Sequence, residues 1–220
     1  MPRIARAVAI GFPHHVIQRG NNREKIFFAV QTRGKYLAWL EEYARKCEVR
    51  ILAYCLMTNH VHLLLKPDKT ESLAKMMQGI NLCYTQYINK RYKRTGRLFE
   101  GRYHSCIVDE ENYLWSVARY IEQNPLRAKM VSQPEDYPYS SGRAHISGAK
   151  DEVLNEALFS DEERAEYVKF IKAPVPEEEI NKIRFTVKRG KPLGDNKFIK
   201  EMARRLKKDF EMKAPGRPRK

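Results

Sequence analysis

The pattern of apolar and polar residues predicts strands in the first half of the chain. Residues 14–19, 49–56 and 60–66 each have the length and composition of a strand. Only a short break at Thr58-Asn59 separates the last two, so we expect them to form a hairpin. A further strand is predicted within residues 98–108.

Elsewhere, apolar residues recur at every third or fourth position, which is typical of helices with one buried face. This spacing predicts helices over residues 31–46, 70–90, 109–123, 161–171 and 198–210. The third helix begins with acidic residues, which favour a helix amino terminus. It ends before Pro125, because the residue that precedes a proline resists helical geometry.

The local charge changes sign twice after residue 150. Residues 151–180 contain ten acidic and three basic residues, whereas residues 197–220 contain ten basic and three acidic ones. We therefore predict an α+β domain over residues 1–150, followed over residues 151–220 by an acidic linker and a basic, helical DNA-binding tail. Residues 216–220 weakly match the Arg-Pro core that reads narrow A·T minor grooves, and a disordered basic tail is the alternative.

The whole chain is strongly basic, with 42 Lys and Arg residues and a formal net charge of +15. This excess predicts a polyanionic partner. Nucleic acid is favoured over a membrane, because no run approaches the ~20 apolar residues of a transmembrane helix. The four cysteines are scattered, as reduced structural thiols are, and the sequence opens with no signal peptide. We expect a cytoplasmic protein.

Two pairs of residues have the spacing of a reactive site. His60 and His62 alternate along a strand, so both point to one face, where they could supply two ligands of a metal site. Tyr120 and Asn124 are one helical turn apart and share a face. The alternatives are structural: hydrogen-bonded buried histidines, a core tyrosine and an asparagine that caps the helix.

Basic residues in several parts of the chain are candidates for contacts with DNA phosphates. The densest group lies in residues 90–102 and includes an aromatic residue, Tyr92, although a solvated basic turn is the alternative. The full set is Arg19, Lys90, Arg91, Lys93, Arg94, Arg97, Arg102, Arg127, Arg204, Arg205, Arg217 and Arg219.

Four segments carry a resemblance to a known family: AYCLMTNHVHLL at 53–64, GRLFEGRY at 96–103, YIEQNPLRA at 120–128 and YPYSS at 137–141. In this order they resemble the REP-associated tyrosine transposases, a branch of the single-tyrosine HUH (His, hydrophobe, His) transposases. The resemblance covers about residues 1–145. It implies a ferredoxin-like antiparallel sheet with helices packed chiefly on one face.

The resemblance also implies roles for the candidate residues. Tyr120 would be the nucleophile, and His60 and His62, with Asn124 as a third polar ligand, would bind Mg²⁺ or Mn²⁺. The protein would cleave and rejoin single-stranded DNA at hairpin-forming repeats through a 5′-phosphotyrosine. A phenol, with a pKa of about 10, needs such assistance from a metal at neutral pH.

Several alternatives stay open at this point. Tyr113, two turns before Tyr120, is a rival nucleophile. The chain could be a regulatory DNA-binding protein that keeps the fold without catalysis, or an RNA-binding or RNA-cleaving protein. Whether it is a monomer or a homodimer is undecided. Because the candidate catalytic residues precede position 125, we expect a chain that ends at Lys150 to bind DNA more weakly but still to cleave it.

Overall fold

A four-stranded antiparallel sheet lies at the centre of the computed structural model, which describes residues 6–210. The strands are β1 (His14–Arg19), β2 (Val49–Met57), β3 (His60–Pro67) and β4 (His104–Ile107). They lie in the order β2-β3-β1-β4, and every pair is antiparallel. A helix follows β1 and another follows β3, so the chain has the split βαβ order of a ferredoxin-like fold. The predicted fold class is confirmed.

The helices agree with most of the predicted ones to within a few residues. They are α1 (Val30–Lys46), α2 (Ser72–Arg91), α3 (Glu110–Glu122), α4 (Asn124–Arg127), α5 (Gly142–Ser147), α6 (Arg164–Lys172), α7 (Glu177–Arg189) and α8 (Asn196–Leu206). The side chain of Asp109 caps α3 by accepting hydrogen bonds from the backbone amides of Glu111 and Asn112. Within residues 6–210, no helix is both long enough and apolar enough to cross a membrane.

Helices cover both faces of the sheet, so they are not confined chiefly to one face as the resemblance implied. α1 and α2 pack on one face, where Tyr36, Leu40 and Tyr84 are fully buried. α3, α6 and α7 pack on the other, where Ile121 and Tyr167 are fully buried. Because side chains alternate between faces along a strand, His60 and His62 lie on the second face.

The strand predicted within residues 98–108 is shorter than expected, since only His104–Ile107 pairs with β1 over several residues. Its partner strand, β1, ends at Arg19, and the chain turns tightly at Gly20, where a Cβ atom would lie 2.3 Å from the carbonyl oxygen of Glu24. In residues 98–103, which precede β4, an isolated bridge joins Phe99 to Gly20.

The acidic linker predicted after residue 150 is a packed part of the molecule. Leu158 and Ile171 from this segment, and Ile183 and Val187 from α7, are buried in the core on the second face. Helix α7 was not predicted. As a functional boundary, residue 150 stays a prediction, but a chain that ends there would lose one side of this core. We therefore no longer expect a chain that ends at Lys150 to cleave DNA normally.

Candidate active site

His60 and His62 lie side by side on β3, with their ring centroids 4.8 Å apart. They line a cavity of about 500 Å³ between the sheet, α3 and α7. His60 Nδ1 is hydrogen-bonded to Oδ1 of Asn59, and His62 Nδ1 is hydrogen-bonded to His15 Nε2. These contacts fix both rings and leave the two Nε2 nitrogens for a ligand.

His15 is a third histidine that the sequence analysis did not assign to the site. It lies on β1, where Ile17 is the residue opposite His62. His15 is two positions from Ile17, so its side chain points to the same face of the sheet as that of His62. Its ring stacks on His62 at a centroid distance of 5.2 Å, and its Nε2 lies 2.9 Å from His62 Nδ1. A metal-binding histidine commonly has its second nitrogen held in this way.

Burial keeps all three imidazoles neutral at neutral pH. It lowers the pKa of His60 to about 4, with a smaller effect from the charge of Arg19, and it lowers the pKa of His15 to about 3. Burial, followed by the neighbouring His60 and His15, also lowers the pKa of His62 well below its usual value. Neutral imidazole is the form that binds a metal ion.

The ring of Tyr120 packs against these histidines. Its centroid is 5.6 Å from those of His15 and His62, and only 3% of the residue is exposed. The rival tyrosine, Tyr113, does not line this cavity. Its hydroxyl accepts a hydrogen bond from Lys182 Nζ at 2.5 Å. The structure therefore brings Tyr120, and not Tyr113, to the histidine pair.

Asn124 lines the same cavity, but its amide nitrogen also performs the capping role considered as an alternative. Nδ2 donates to the backbone oxygens of Tyr120 at 2.9 Å and Ile121 at 3.2 Å. These contacts fix the side chain with Oδ1 as the atom that could meet a metal. Within residues 6–210, no cluster of three or more His, Cys, Asp or Glu is placed to hold a metal. An oxygen of Asn124, water or substrate would therefore have to complete the coordination.

Arg127 adds a partly buried positive charge next to Tyr120. Its guanidinium carbon lies 4.5 Å from the centre of the Tyr120 ring, and Nη2 donates to the Tyr120 backbone oxygen at 2.6 Å. Its Nε and Nη1 atoms are buried and have no hydrogen-bond partner within residues 6–210. Unsatisfied donors on a charged group that lines the cavity could be satisfied by an anion such as phosphate.

The other predicted DNA-binding residues are placed differently. Arg19 lines the same cavity as Arg127, whereas Arg102 lines a neighbouring one. The others that the structure describes lie outside both cavities, on α2 and the following loop or on α8: Lys90, Arg91, Lys93, Arg94, Arg97, Arg204 and Arg205. Arg217 and Arg219, with the five-residue motif that contains them, are outside the described residues.

Helix α7 supplies cavity residues that the sequence analysis missed. Arg184 and Lys188 line the cavity one helical turn apart, and Glu100 and His104 complete its rim. The missed signal was the spacing of Ile180, Ile183 and Val187, which is typical of a helix but lies within an acidic sequence.

Known proteins are similar to this chain in both sequence and structure. A protein from Haemophilus influenzae named as a REP-associated tyrosine transposase is 22% identical, with 52% of this chain and 77% of that protein covered. A solved REP-associated tyrosine transposase bound to a REP hairpin has a TM-score of 0.56 at 16% identity, covering 73% of this chain and 94% of that one, which supports the fold.

A structure from Deinococcus radiodurans R1 described as a transposase aligns with a TM-score of 0.35. It is 15% identical and covers 59% of this chain and 92% of that one. Residues 11–124 match the family model described as "Transposase IS200 like", which spans 114 of the 220 residues. The motif resemblance is therefore confirmed, and the chain belongs to the IS200-like transposase family.

Proposed function

We propose that this protein cleaves and rejoins single-stranded DNA at hairpin-forming repeats, with Tyr120 as the nucleophile. The observation that carries the proposal is the packing of Tyr120 against His15 and His62, beside a cavity that Tyr120 and His62 line together with His60 and Arg127. The similarity to a transposase solved with a REP hairpin supports hairpin DNA as the substrate class.

In the cleavage step, the phenolic oxygen of Tyr120 attacks a phosphorus atom of the DNA backbone. The bond from phosphorus to the 3′ oxygen breaks, the phenolic proton is lost, and the departing oxygen gains a proton. The products are a 5′-phosphotyrosine and a free 3′-hydroxyl. A 3′-hydroxyl can reverse the step on the same or another strand, so rejoining needs no external energy source.

His60 and His62 are suited to hold a divalent cation through Nε2, because both rings are neutral and oriented by Asn59 and His15. The oxygen of Asn124 is the candidate third ligand. A bound Mg²⁺ or Mn²⁺ would polarise the phosphoryl oxygen and stabilise charge in the transition state. Imidazole ligands favour Mn²⁺, whereas cellular abundance favours Mg²⁺.

Arg127 and Arg19 would bind the scissile phosphate and its neighbours. The two unsatisfied donors of Arg127 lie beside the nucleophile, so a phosphate that they bind is held close to Tyr120. Positioning of this kind converts attack into an intramolecular reaction, and the guanidinium also stabilises the additional negative charge that develops on the phosphate.

The test is formation of a covalent protein–DNA complex that survives denaturation. We expect the complex with hairpin-bearing single-stranded DNA in Mn²⁺ or Mg²⁺, and none in chelator. His60→Ala and His62→Ala should each abolish it while the folded variants still bind the DNA. A normal yield in chelator would rule out the metal role, and binding without any complex in either metal would favour the regulatory alternative.

A further inference from the structure

A second cavity, of about 590 Å³, adjoins the one that contains Tyr120. The two cavities share His104, Val187 and Lys188 as lining residues, so the side chains of α7 and β4 form a common wall. The second cavity is strongly basic. Its charged lining residues are Arg6, Arg102, Lys188, Arg189, Lys191, Lys208 and the acid Asp209.

The wall between the cavities is held firmly in place. Leu193 donates a backbone hydrogen bond to Ile107 at 2.7 Å and accepts one from Asp109 at 2.8 Å. These bonds fasten the segment that follows α7 to the end of β4. Gly190, at the carboxyl end of α7, sits close enough that a Cβ atom would lie 3.6 Å from the backbone oxygen of Ser105.

Two of the positive charges in the second cavity, Arg6 and Arg102, lie close enough to affect each other. Arg6 stacks on the Tyr103 ring at 3.7 Å, and its Nε donates to the Tyr103 backbone oxygen. Burial lowers the pKa of the Arg6 guanidinium, and the nearby charge of Arg102 lowers it further. A bound anion relieves the repulsion between neighbouring positive groups. A cleft lined by such groups attracts a polyanion.

Helix α3 is also attached to the extension that carries α7. Arg119 Nη2 donates to both carboxylate oxygens of Glu179, at 3.0 and 2.9 Å, and Gln123 Nε2 donates to the Ala173 backbone oxygen at 3.0 Å. These two residues bracket Tyr120 in the sequence. The extension therefore holds the helix that carries Tyr120 and lies against the same cavity.

We propose that α7 continues the DNA-binding surface from the catalytic cavity into the second cavity, and that the second cavity binds single-stranded DNA beside the cleaved phosphodiester. This inference rests on the proposed function. Arg184 and Lys188 lie about 6 Å apart along α7, a spacing that lets one backbone run from the first cavity towards Arg189 and Lys191. The family match ends at residue 124, so the side of this surface that α7 forms lies beyond the matched residues.

The test compares two DNAs, a bare hairpin and the same hairpin with a single-stranded flank of about eight nucleotides on either side. Fluorescence anisotropy would be measured in a Tyr120→Phe background, so that cleavage does not interfere. The variant is Arg189→Ala with Lys191→Ala. A matched control, Lys35→Ala with Lys169→Ala, removes the same charge from exposed positions that line neither cavity.

We expect the flank to increase the DNA affinity of the Tyr120→Phe protein. The Arg189/Lys191 variant should bind the flanked hairpin about tenfold more weakly and the bare hairpin with unchanged affinity. Its salt slope on the flanked hairpin should fall by about 1.4, because each lost phosphate contact on a single strand contributes about 0.7. The control should retain the gain from the flank. Unchanged affinity for the flanked hairpin, or an equal loss on the bare hairpin, would overturn the inference.

This outcome is independent of the catalytic proposal. If the wild-type protein forms no covalent complex, yet the flank-dependent loss is observed, the proposed reaction fails and the second cavity remains a strand-binding site. If the complex forms but the flank-dependent loss is absent, the reaction stands and the strand follows another path.

Discussion

One buried histidine orients another at the centre of the site. The contact between His15 Nε2 and His62 Nδ1 is the only hydrogen bond of the His15 side chain within residues 6–210, since His15 Nδ1 is buried without a partner. His62, its partner, lines the cavity. A buried polar residue with such a single partner is better explained by its positioning of that partner than by a contribution to stability.

His15→Leu should therefore weaken Mn²⁺ binding by about 10- to 100-fold, the usual effect of losing a residue that orients a metal ligand. His15→Gln, which can still hydrogen-bond to His62, should recover part of the affinity. Calorimetric titration with Mn²⁺ measures both, and thermal unfolding confirms that the variants fold. Wild-type affinity in a folded His15→Leu variant would contradict this role.

Arg127 should affect the reaction more than DNA binding. Arg127→Gln removes the charge beside Tyr120, and we expect covalent complex formation on saturating DNA to slow by about 100-fold, as when one donor to a transition state is lost. Arg97→Gln removes an equal charge from outside the cavity and should leave that rate unchanged. Equal rates in the two variants would argue against a role for Arg127 in the reaction.

Helices α1 and α2 pack so closely that one glycine is required between them. A Cβ atom on Gly79 would lie 2.0 Å from Cε1 of Tyr43, whereas one on Gly34 would meet nothing within 4 Å. Gly79→Ala should therefore lower the free energy of unfolding by about 1–3 kcal/mol, and Gly34→Ala should raise it by about 0.5–1 kcal/mol. Urea denaturation measures both, and stabilisation by Gly79→Ala would contradict this packing.

The sequence predicted elements well where a local pattern determines the structure. The strands that became β1, β2 and β3 had clear strand patterns, and Asp109 marked the start of α3. The sequence failed where distant contacts decide. Helix α7 is stabilised by burying Ile183 and Val187 on the sheet, although its acidic first turn resembled a linker.

For the site too, local sequence patterns identified candidate residues, whereas contacts between distant parts of the chain were not predicted. Spacing singled out Tyr120, Asn124, His60 and His62 as candidates, and they line one cavity, while their roles stay predictions. The role of His15 depends on how β1 and β3 align, and that of Arg184 and Lys188 depends on where α7 docks. Neither can be obtained from spacing along a single sequence.

Across the whole molecule, buried neutral histidines make stability depend on pH. His14 accepts a hydrogen bond from the Ala9 amide, and burial lowers its pKa to about 4, compared with about 6.5 in an unfolded chain. Between these values the unfolded chain binds the additional proton, so stability decreases as the pH falls from about 6.5 to about 4. The loss from His14 alone should approach about 3 kcal/mol.

Urea denaturation at pH 7 and pH 4.5 would measure this effect. His14→Gln should be less stable than the wild type at pH 7 but should show a smaller decrease at pH 4.5, because its side chain does not titrate. If the wild type and the variant lose equal stability between the two pH values, His14 is not buried as a neutral group.

If Tyr120 is the nucleophile, it becomes covalently joined to DNA during cleavage. The most direct measurement is mass spectrometry of the peptide that remains linked to a nucleotide after digestion of the covalent complex. We expect the nucleotide on Tyr120, and we expect Tyr120→Phe to form no complex while it still binds DNA. Tyr113→Phe, the matched control, should form the complex normally. A normal yield in Tyr120→Phe, with loss in Tyr113→Phe, would contradict the account.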